Sequence, residues 1–152
     1  MPYLTVWIHY VWSTKNWKPW LVKAVRTPLY AHMRQNALAK GIRLDSMNGT
    51  ADHLHSLVSL RADQSIAKIA QLIKGESSFW LNEQKLIPGH FQWQEEYYAA
   101  SVSERLLDQI RRYIARQEQH HRVKTSTEEW RELMKQWAQQ EGAGPQGPRS
   151  TT

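Results

Sequence analysis

Residues 42–60 carry the sequence IRLDSMNGTADHLHSLVSL, which predicts a β-hairpin in the middle of the chain. The dipeptide Asn48-Gly49 is its strongest turn signal, since both residue types adopt the positive φ angles that a two-residue hairpin turn needs. It predicts a short strand over Ile42–Met47 and a second strand over about Asp52–Leu60.

The segment before the hairpin predicts a central strand followed by a helix. In Tyr3–Ser13, apolar side chains occupy both alternating faces, as expected of a strand that is covered on both sides. Thr27 followed by Pro28 is typical of a helix start, and Gly41 is typical of the position just past a helix end. These signals predict a helix over about Pro28–Lys40.

The segment after the hairpin predicts a second helix and a fourth strand. Ser65 is placed to cap a helix whose apolar residues recur at helical spacing. Gly75 is expected to interrupt this helix, and Ser77–Gln84 to continue it as a second helical piece. Phe91–Ala99 then alternates as a strand.

The C-terminal part of the sequence predicts two more helices. Ser101 with Glu104 three residues later is a capping-box signature, which predicts a helix that runs to about His121. A last amphipathic helix is predicted over roughly Thr127–Gln140, and the tail from Gly142 is rich in Gly, Pro, Ser and Thr.

The order of these elements is β-α-β-β-α-β followed by two helices. This order indicates the α+β class, with a ferredoxin-like (split βαβ) antiparallel sheet backed by helices and an added C-terminal helix. We expect one domain over residues 1–121, a helical extension of the same domain over 122–141, and a flexible tail over 142–152.

The composition is that of a folded chain without disulfides. The 152 residues and 17.9 kDa fit one domain. The absence of cysteine excludes disulfides, thiolate zinc sites and a cysteine nucleophile. No apolar run approaches the ~18 residues of a membrane span. The apolar N-terminal stretch has no basic residue before it and no cleavage site after it, so it lacks the features of a secretion signal. We therefore expect a soluble, cytoplasmic protein.

Positive charge is concentrated in two parts of the chain, whose formal net charge is +6. Residues 1–44 contain no acidic side chain and seven basic ones: Lys15, Lys18, Lys23, Arg26, Arg34, Lys40 and Arg43. A second group comprises Arg105, Arg111, Arg112, Arg116 and Arg122. With tryptophans interleaved in the first group, such clusters suit phosphate attraction and base stacking. The alternative is a basic surface that only confers solubility.

His53 and His55 flank Leu54 on a predicted strand, so both imidazoles point to one face while Leu54 points to the core. Two imidazoles at this spacing can hold one metal ion from one side and leave its other positions open for substrate. The alternative is a pair of hydrogen-bonded surface histidines. His9, in the first predicted strand, is expected to be a sheet histidine with hydrogen-bond partners and not a ligand.

Tyr113 and Gln117 lie four residues apart on the predicted helix after the fourth strand, which places them on one helix face. The Tyr113 phenolate is a candidate nucleophile, and the Gln117 amide oxygen is a candidate ligand of the same metal as the histidines. The alternative is a tyrosine half-buried at a helix–sheet contact beside a solvated glutamine.

Taken together, these features resemble the single-tyrosine transposases of the IS200/IS605 type, within the HUH nuclease superfamily. The resemblance covers about Tyr3–His121. It is carried by five separated motifs in the same order: Asp52-His53-Leu54-His55, Ile73-Lys74-Gly75-Glu76-Ser77-Ser78, Phe91-Gln92-Trp93-Gln94, Ser101-Val102-Ser103, and the stretch from Tyr113-Ile114-Ala115-Arg116-Gln117 to His121. One departure is Glu96-Tyr97-Tyr98, where the family often has Gly-Tyr-Gly, so two glycines are lost and further tyrosines appear.

The resemblance implies an enzyme that cleaves and rejoins single-stranded DNA at hairpin-flanked element ends. Tyr113 would attack a phosphodiester, leaving a 5′-phosphotyrosine link and a free 3′-hydroxyl, while His53, His55 and Gln117 would hold Mg²⁺ or Mn²⁺. It further implies that residues 1–121 form the catalytic domain and that the protein is a homodimer with composite active sites. The candidate DNA-contacting residues are Lys15, Arg34, Lys74, Arg112 and Arg116.

The sequence is also compatible with two other functions. One is a non-catalytic or domesticated protein of the same fold that binds hairpin DNA or RNA, and another is a metal-dependent phosphoesterase without a covalent step. Domesticated relatives usually carry further basic sequence after the tyrosine helix, whereas residues 122–141 contain four basic and four acidic side chains. This balance favours a mobile-element transposase.

Overall fold

The structure, a computed structural model, describes residues 3–120, 128–132 and 135. In chain order its elements are β1 (Trp7–Thr14), α1 (Lys23–Ala39), β2 (Arg43–Gly49), β3 (His53–Ser59), α2 (Ile66–Gln84), β4 (Trp93–Val102), α3 (Leu107–Ala115) and α4 (Gln117–His120). Short 3-10 turns cover Lys15–Trp17 and Glu104–Leu106. The strands form one antiparallel sheet in the order β2-β3-β1-β4. The predicted α+β class and the central position of β1 are confirmed.

The chain divides into two compact units between Glu118 and Gln119. In the second unit, residues 128–132 are helical. Most of the helix predicted over Thr127–Gln140, and all of the tail from Gly142, lie outside the described residues, so the 122–141 extension and the 142–152 tail stay predictions. Within the described ranges, no helix is long and apolar enough to cross a membrane.

The two faces of the sheet are covered by different helices. One face contributes the buried side chains of Tyr10, Trp12 and Leu54 to the main core, together with side chains from α1 and α2. On the opposite face, Leu57 packs with Leu107 and the other apolar residues of α3 in a smaller cluster. Because strand side chains alternate, every residue of β3 points either to α1 and α2 or to α3.

The hairpin forms, but its turn is not at Asn48-Gly49. Both residues belong to β2, where Asn48 pairs with His55 and Gly49 with Leu54. The chain reverses over residues 50–52, and the Thr50 N–H donates to the His53 carbonyl at 3.0 Å. Gly49 is needed for close approach of the two strands, since a Cβ built there would lie 2.1 Å from the His53 carbonyl oxygen.

Helix α1 begins at Lys23, one turn before the predicted start at Thr27-Pro28. Its first turn is held by Val22, whose carbonyl accepts from the N–H of Val25 at 2.8 Å and from the N–H of Arg26 at 2.9 Å. Val25 is buried in the core, so packing extends the helix backwards past Pro28. Pro28 therefore lies inside α1, where it removes one intrahelical hydrogen bond.

Two other predicted boundaries are wrong. Helix α2 runs through Gly75 without the predicted break. Its predicted N-cap is confirmed, because the Ser65 side chain accepts from the Lys68 N–H. Ser101 does not start a helix; it pairs with Ile8 inside β4. Cross-strand pairing outweighs the local capping signal there, and α3 begins only at Leu107.

We expect Gly49→Ala and Gly75→Ala to change stability in opposite directions. The added methyl group at position 49 overlaps the backbone of β3 and should lower the free energy of unfolding by about 1–3 kcal/mol or more. At position 75, in the middle of α2, no heavy atom lies within 4 Å of the new Cβ. Alanine should raise stability there by ~0.5–1 kcal/mol through its higher helix propensity. Urea denaturation measures both, and a Gly49→Ala variant as stable as wild type would contradict the close-approach role.

Candidate active site

His53 and His55 both lie on the face of β3 that α3 covers. Each is at most 1% exposed, so they are not the surface histidines of the alternative interpretation. Buried imidazole nitrogens need hydrogen-bond partners or ligands, because an unpaired polar group loses its hydration without compensation. The partners of each ring therefore define the site.

The His53 ring is held on both sides. Its Nδ1 lies 2.9 Å from Thr50 Oγ1 and 3.1 Å from Asp52 Oδ1. Its Nε2 lies 3.1 Å from Gln117 Oε1. If the Asp52 carboxylate accepts a proton from Nδ1, the lone pair of Nε2 is available to a cation; in the other tautomer Nε2–H donates to Gln117 Oε1.

Gln117 reaches this position from the short helix α4. It is fully buried, and its Nε2 lies 3.5 Å from the Tyr113 carbonyl, which leaves Oε1 directed at His53. The two residues do not share one regular helix as predicted, because α3 ends at Ala115. The Asn48 side chain donates to the Ala115 carbonyl at 3.2 Å, so the end of β2 fixes this break.

His55 and Tyr113 form an aromatic cluster with His9. The ring centroids of His55 and Tyr113 are 5.4 Å apart in an edge-to-face arrangement. His9 stacks on His55 at 5.1 Å and meets the Tyr113 ring edge-on at 6.2 Å. Tyr113 is half-buried, so the phenol is in contact with the imidazoles without being enclosed in the core.

Helix α3 brings Tyr113 to the sheet through packing and an ion pair. Leu107, Ile110 and Ile114, at helical spacing, pack on Leu57 of β3. At the exposed edge, Arg111 donates from Nε and Nη2 to the two carboxylate oxygens of Asp45 on β2, at 2.9 and 3.1 Å.

His53, His55 and Gln117 offer two imidazole nitrogens and an amide oxygen, which are donors that could hold a divalent cation. One ring nitrogen of His53 lies within 4.8 Å of one of His55. The 3.1 Å between His53 Nε2 and Gln117 Oε1 matches the ~3 Å between neighbouring ligands of an octahedral ion bound at 2.0–2.1 Å.

The two tyrosines of β4 occupy different faces. Tyr98 lies on the histidine face, with its ring 6.1 Å from that of His9, and burial raises its pKa. Tyr97 lies on the other face, against Tyr10. Tyr113 is thus the tyrosine in ring contact with His55.

The predicted DNA-contacting residues lie in several places. Lys74 donates to the carbonyls of Gln94 and Glu95 at 2.7 and 2.9 Å, and its burial lowers its pKa, an effect that nearby Glu95 opposes. Arg34 is exposed on α1 and lines a cleft of about 510 Å³ that also includes Arg43 and Arg61. The remaining predicted contacts are all exposed side chains: Lys15, Arg112 and Arg116.

His9 is a hydrogen-bonded sheet histidine, as predicted, but the sequence did not predict its contact with His55. Its imidazole is 5% exposed, and its Nε2 lies 2.8 Å from His55 Nδ1. The register pairs His55 with Val11, so His9 is the diagonal neighbour on the same face. Its alternation with Trp7 and Val11 was a signal for this face, but the register that sets the contact requires the folded sheet.

Comparisons with known proteins agree with this fold. The sequence model of the family described as "Transposase IS200 like" matches residues 3–117. The chain therefore belongs to the IS200-like transposase family, whose members are DNA-cleaving enzymes. It is 30% identical over 115 residues to the ISDra2 transposase TnpA of Deinococcus radiodurans, an alignment that covers 72% of this chain and 81% of that protein.

Two solved structures share the fold. A candidate transposase from D. radiodurans superimposes with a TM-score of 0.59 and 27% identity, over 77% of this chain and 95% of that chain. A REP-associated tyrosine transposase bound to a REP hairpin gives a TM-score of 0.61 and 12% identity, over 80% of this chain and 72% of that chain. The second likeness shows the fold alone.

We expect the attachment of α3 to β2 to weaken in acid. Burial, the largest single effect, would raise the pKa of Asp45, but the hydrogen bonds from Arg111 and Ser46 together with the charges of Arg111 and Arg34 outweigh it, so the net pKa is lowered. Because the folded-state pKa is below the unfolded one, ~3.9, this stabilisation is present at neutral pH and disappears as the pH falls through the depressed pKa.

Asp45→Asn should accordingly be less stable than wild type at pH 7. The difference in urea midpoint should shrink as the pH falls below about 3.9. Asp63→Asn, at an exposed position between β3 and α2, is the matched control and should follow the wild-type profile. Equal midpoints of wild type and Asp45→Asn at pH 7 would contradict the role of this ion pair.

Proposed function

We propose that this protein cleaves and rejoins single-stranded DNA at hairpin-flanked element ends, with Tyr113 as the nucleophile. The observation that supports it best is the ring contact of Tyr113 with His55, beside the His53–Gln117 pair. These residues come from β3 and from helices about 60 positions later, and they meet on one face of the sheet. A phenol beside a cation-binding donor set is what covalent phosphoryl transfer requires.

The proposed reaction exchanges one phosphoester for another. Tyr113 Oη attacks the phosphorus, the bond from phosphorus to the 3′-oxygen breaks, and the 5′ end stays on the tyrosine. The phenol gives up its proton and the departing 3′-oxygen takes one up as a hydroxyl. A different 3′-hydroxyl can then attack the phosphotyrosine and reverse the exchange, so joining needs no ATP.

The residues of the site divide this work between them. His53, His55 and Gln117 would hold Mg²⁺ or Mn²⁺, which when bound draws charge from the non-bridging phosphate oxygens and is worth several kcal/mol in the transition state. Asp52 and Thr50 fix the His53 ring, and α3 orients the phenol. Because a free phenol has a pKa near 10, Tyr113 needs this placement against a polarised phosphate to react at neutral pH.

The proposed DNA partner is a single strand with hairpin ends, and a REP hairpin bound by a protein of the same fold supports it. Residues 1–44 carry basic side chains and no acidic one, which favours binding of a polyanion such as DNA. We propose that the protein acts in the cytoplasm, where its DNA substrate is located. A homodimer is part of the proposal, but exchange of the tyrosine helix is not required, because Tyr113 and His55 of one chain are already in contact.

Tyr113→Phe should abolish covalent capture of DNA. Hairpin-bearing single-stranded DNA labelled at its 3′ end is incubated with the protein and Mn²⁺, and a denaturing gel detects the protein–DNA adduct. A substrate labelled at its 5′ end should instead release a shorter strand. Tyr98→Phe is the matched control and should still form the adduct, because Tyr98 contacts His9 and not His55 in the ring cluster.

Each alternative function gives a different result in this assay. Cleavage without an adduct would indicate a phosphoesterase, and binding without cleavage would indicate a hairpin-binding protein. An adduct that survives in Tyr113→Phe, or one that retains the 5′ label, would contradict the assignment of the nucleophile or the polarity of the link.

Removal of the cation or of its ligands should also stop cleavage. EDTA should abolish the adduct, and excess Mn²⁺ should restore it. His53→Ala should lower the rate by more than the roughly 10–100-fold that loss of an outer-shell partner costs. Hairpin binding should persist, as a mobility-shift gel can show, and adduct formation that EDTA leaves unchanged would contradict the metal site.

A further inference from the structure

His9 is a buried imidazole that the proposed reaction has not yet used. It lies on β1, the central strand, and its side chain faces α3 together with His55. Only 5% of it is exposed, so it is not available to contact a DNA strand directly. Its role must be exerted through the residues that it touches.

The contact with His55 is a hydrogen bond between two imidazoles. His9 Nε2 and His55 Nδ1 are 2.8 Å apart, and the rings stack with an interplanar angle of 23°. Tyr98 and Tyr113 meet the His9 ring edge-on, at 77° and 80°. The position of the His9 ring is therefore determined by packing on more than one side.

This hydrogen bond allows only two arrangements of one proton. If the proton lies on His55 Nδ1, then Nε2 of the neutral His55 ring carries a lone pair and can bind a cation. If it lies on His9 Nε2, then Nε2 of the neutral His55 ring carries hydrogen and cannot bind one. At His53 the Asp52 carboxylate lies 3.1 Å from Nδ1 and is placed to accept the corresponding proton.

We propose that His9 is a positioning residue that accepts the Nδ1 proton of His55, an inference that rests on the proposed function of the site. It fixes the His55 ring and its tautomer so that Nε2 is ready to bind the divalent cation. His9 on β1 thus does for His55 what Asp52 does for His53. Outer-shell acceptors of this kind typically change metal affinity or activity by 10–100-fold.

The first test needs no substitution of His9. In the metal-free protein with ¹⁵N-labelled histidine, the ring ¹⁵N shifts report which nitrogen of His55 carries the proton, and His55→Gln assigns its signals. We expect the Nδ1–H form in the wild type and a mixture of both tautomers in His9→Phe. A wild-type His55 protonated on Nε2 would overturn the proposal.

The second test measures Mn²⁺ binding without DNA, by the EPR signal of the free ion. His9→Phe keeps a ring of similar size but removes the acceptor, and should weaken Mn²⁺ binding by about 10–100-fold. His9→Gln restores an acceptor oxygen and should recover much of the affinity. His32→Phe is the matched control, since His32 pairs with Glu76 and stacks on Trp80 between α1 and α2, and it should bind like wild type.

The outcomes separate this inference from the proposed function. If the wild type binds Mn²⁺ and forms the adduct while folded His9→Phe binds it equally well, the role of His9 is overturned and the proposed function stands. If the wild type binds no Mn²⁺, both are overturned. Weakened binding in His9→Phe with recovery in His9→Gln supports both.

Discussion

The pairing of β3 between β1 and β2 determines what the rest of the site can be. A strand in that position presents alternate side chains to opposite faces, so Leu54 enters the main core while His53, His55 and Leu57 face α3. The apolar contact of Leu57 with α3 then brings Tyr113 against the imidazoles. One packing interaction therefore both buries the histidines and delivers the phenol.

Burial in turn makes the outer partners of the imidazoles essential. A surface histidine would exchange its hydrogen bonds with water, but these two rings are enclosed. Nδ1 of His53 is hydrogen-bonded to Asp52 and Thr50, and Nδ1 of His55 is hydrogen-bonded to His9. Fixed partners on Nδ1 orient both rings and determine which nitrogen can accept a cation. Preorganisation of this kind reduces the rearrangement needed when a phosphate and a cation arrive.

Sequence patterns predicted the element order and the shared face of the histidines, because both depend on local periodicity. They failed where tertiary contacts decide. Asn48-Gly49 has the composition of a turn, yet the close approach of β3 uses its glycine inside the strand. Ser101 has the spacing of a helix cap, but pairing with β1 holds it in β4.

The contact between His9 and His55 depends on a register between strands 46 positions apart, which no local pattern contains. The approach of Gln117 to His53 likewise depends on the break after Ala115, which Asn48 fixes from β2. The resemblance to the transposase family nevertheless identified both His53 and Gln117, because it compares the residues at many positions of the sequence together.

The most direct test of the central claim is to locate the nucleotide on the protein. The adduct formed with hairpin DNA and Mn²⁺ is trimmed with nuclease, digested with trypsin and sequenced by mass spectrometry. The account predicts the added phosphonucleotide on Tyr113, in the peptide of residues 113–116 released by cleavage after Arg112 and Arg116. A modified peptide containing Tyr97 or Tyr98 in its place, or cleaved DNA with no modified peptide, would contradict it.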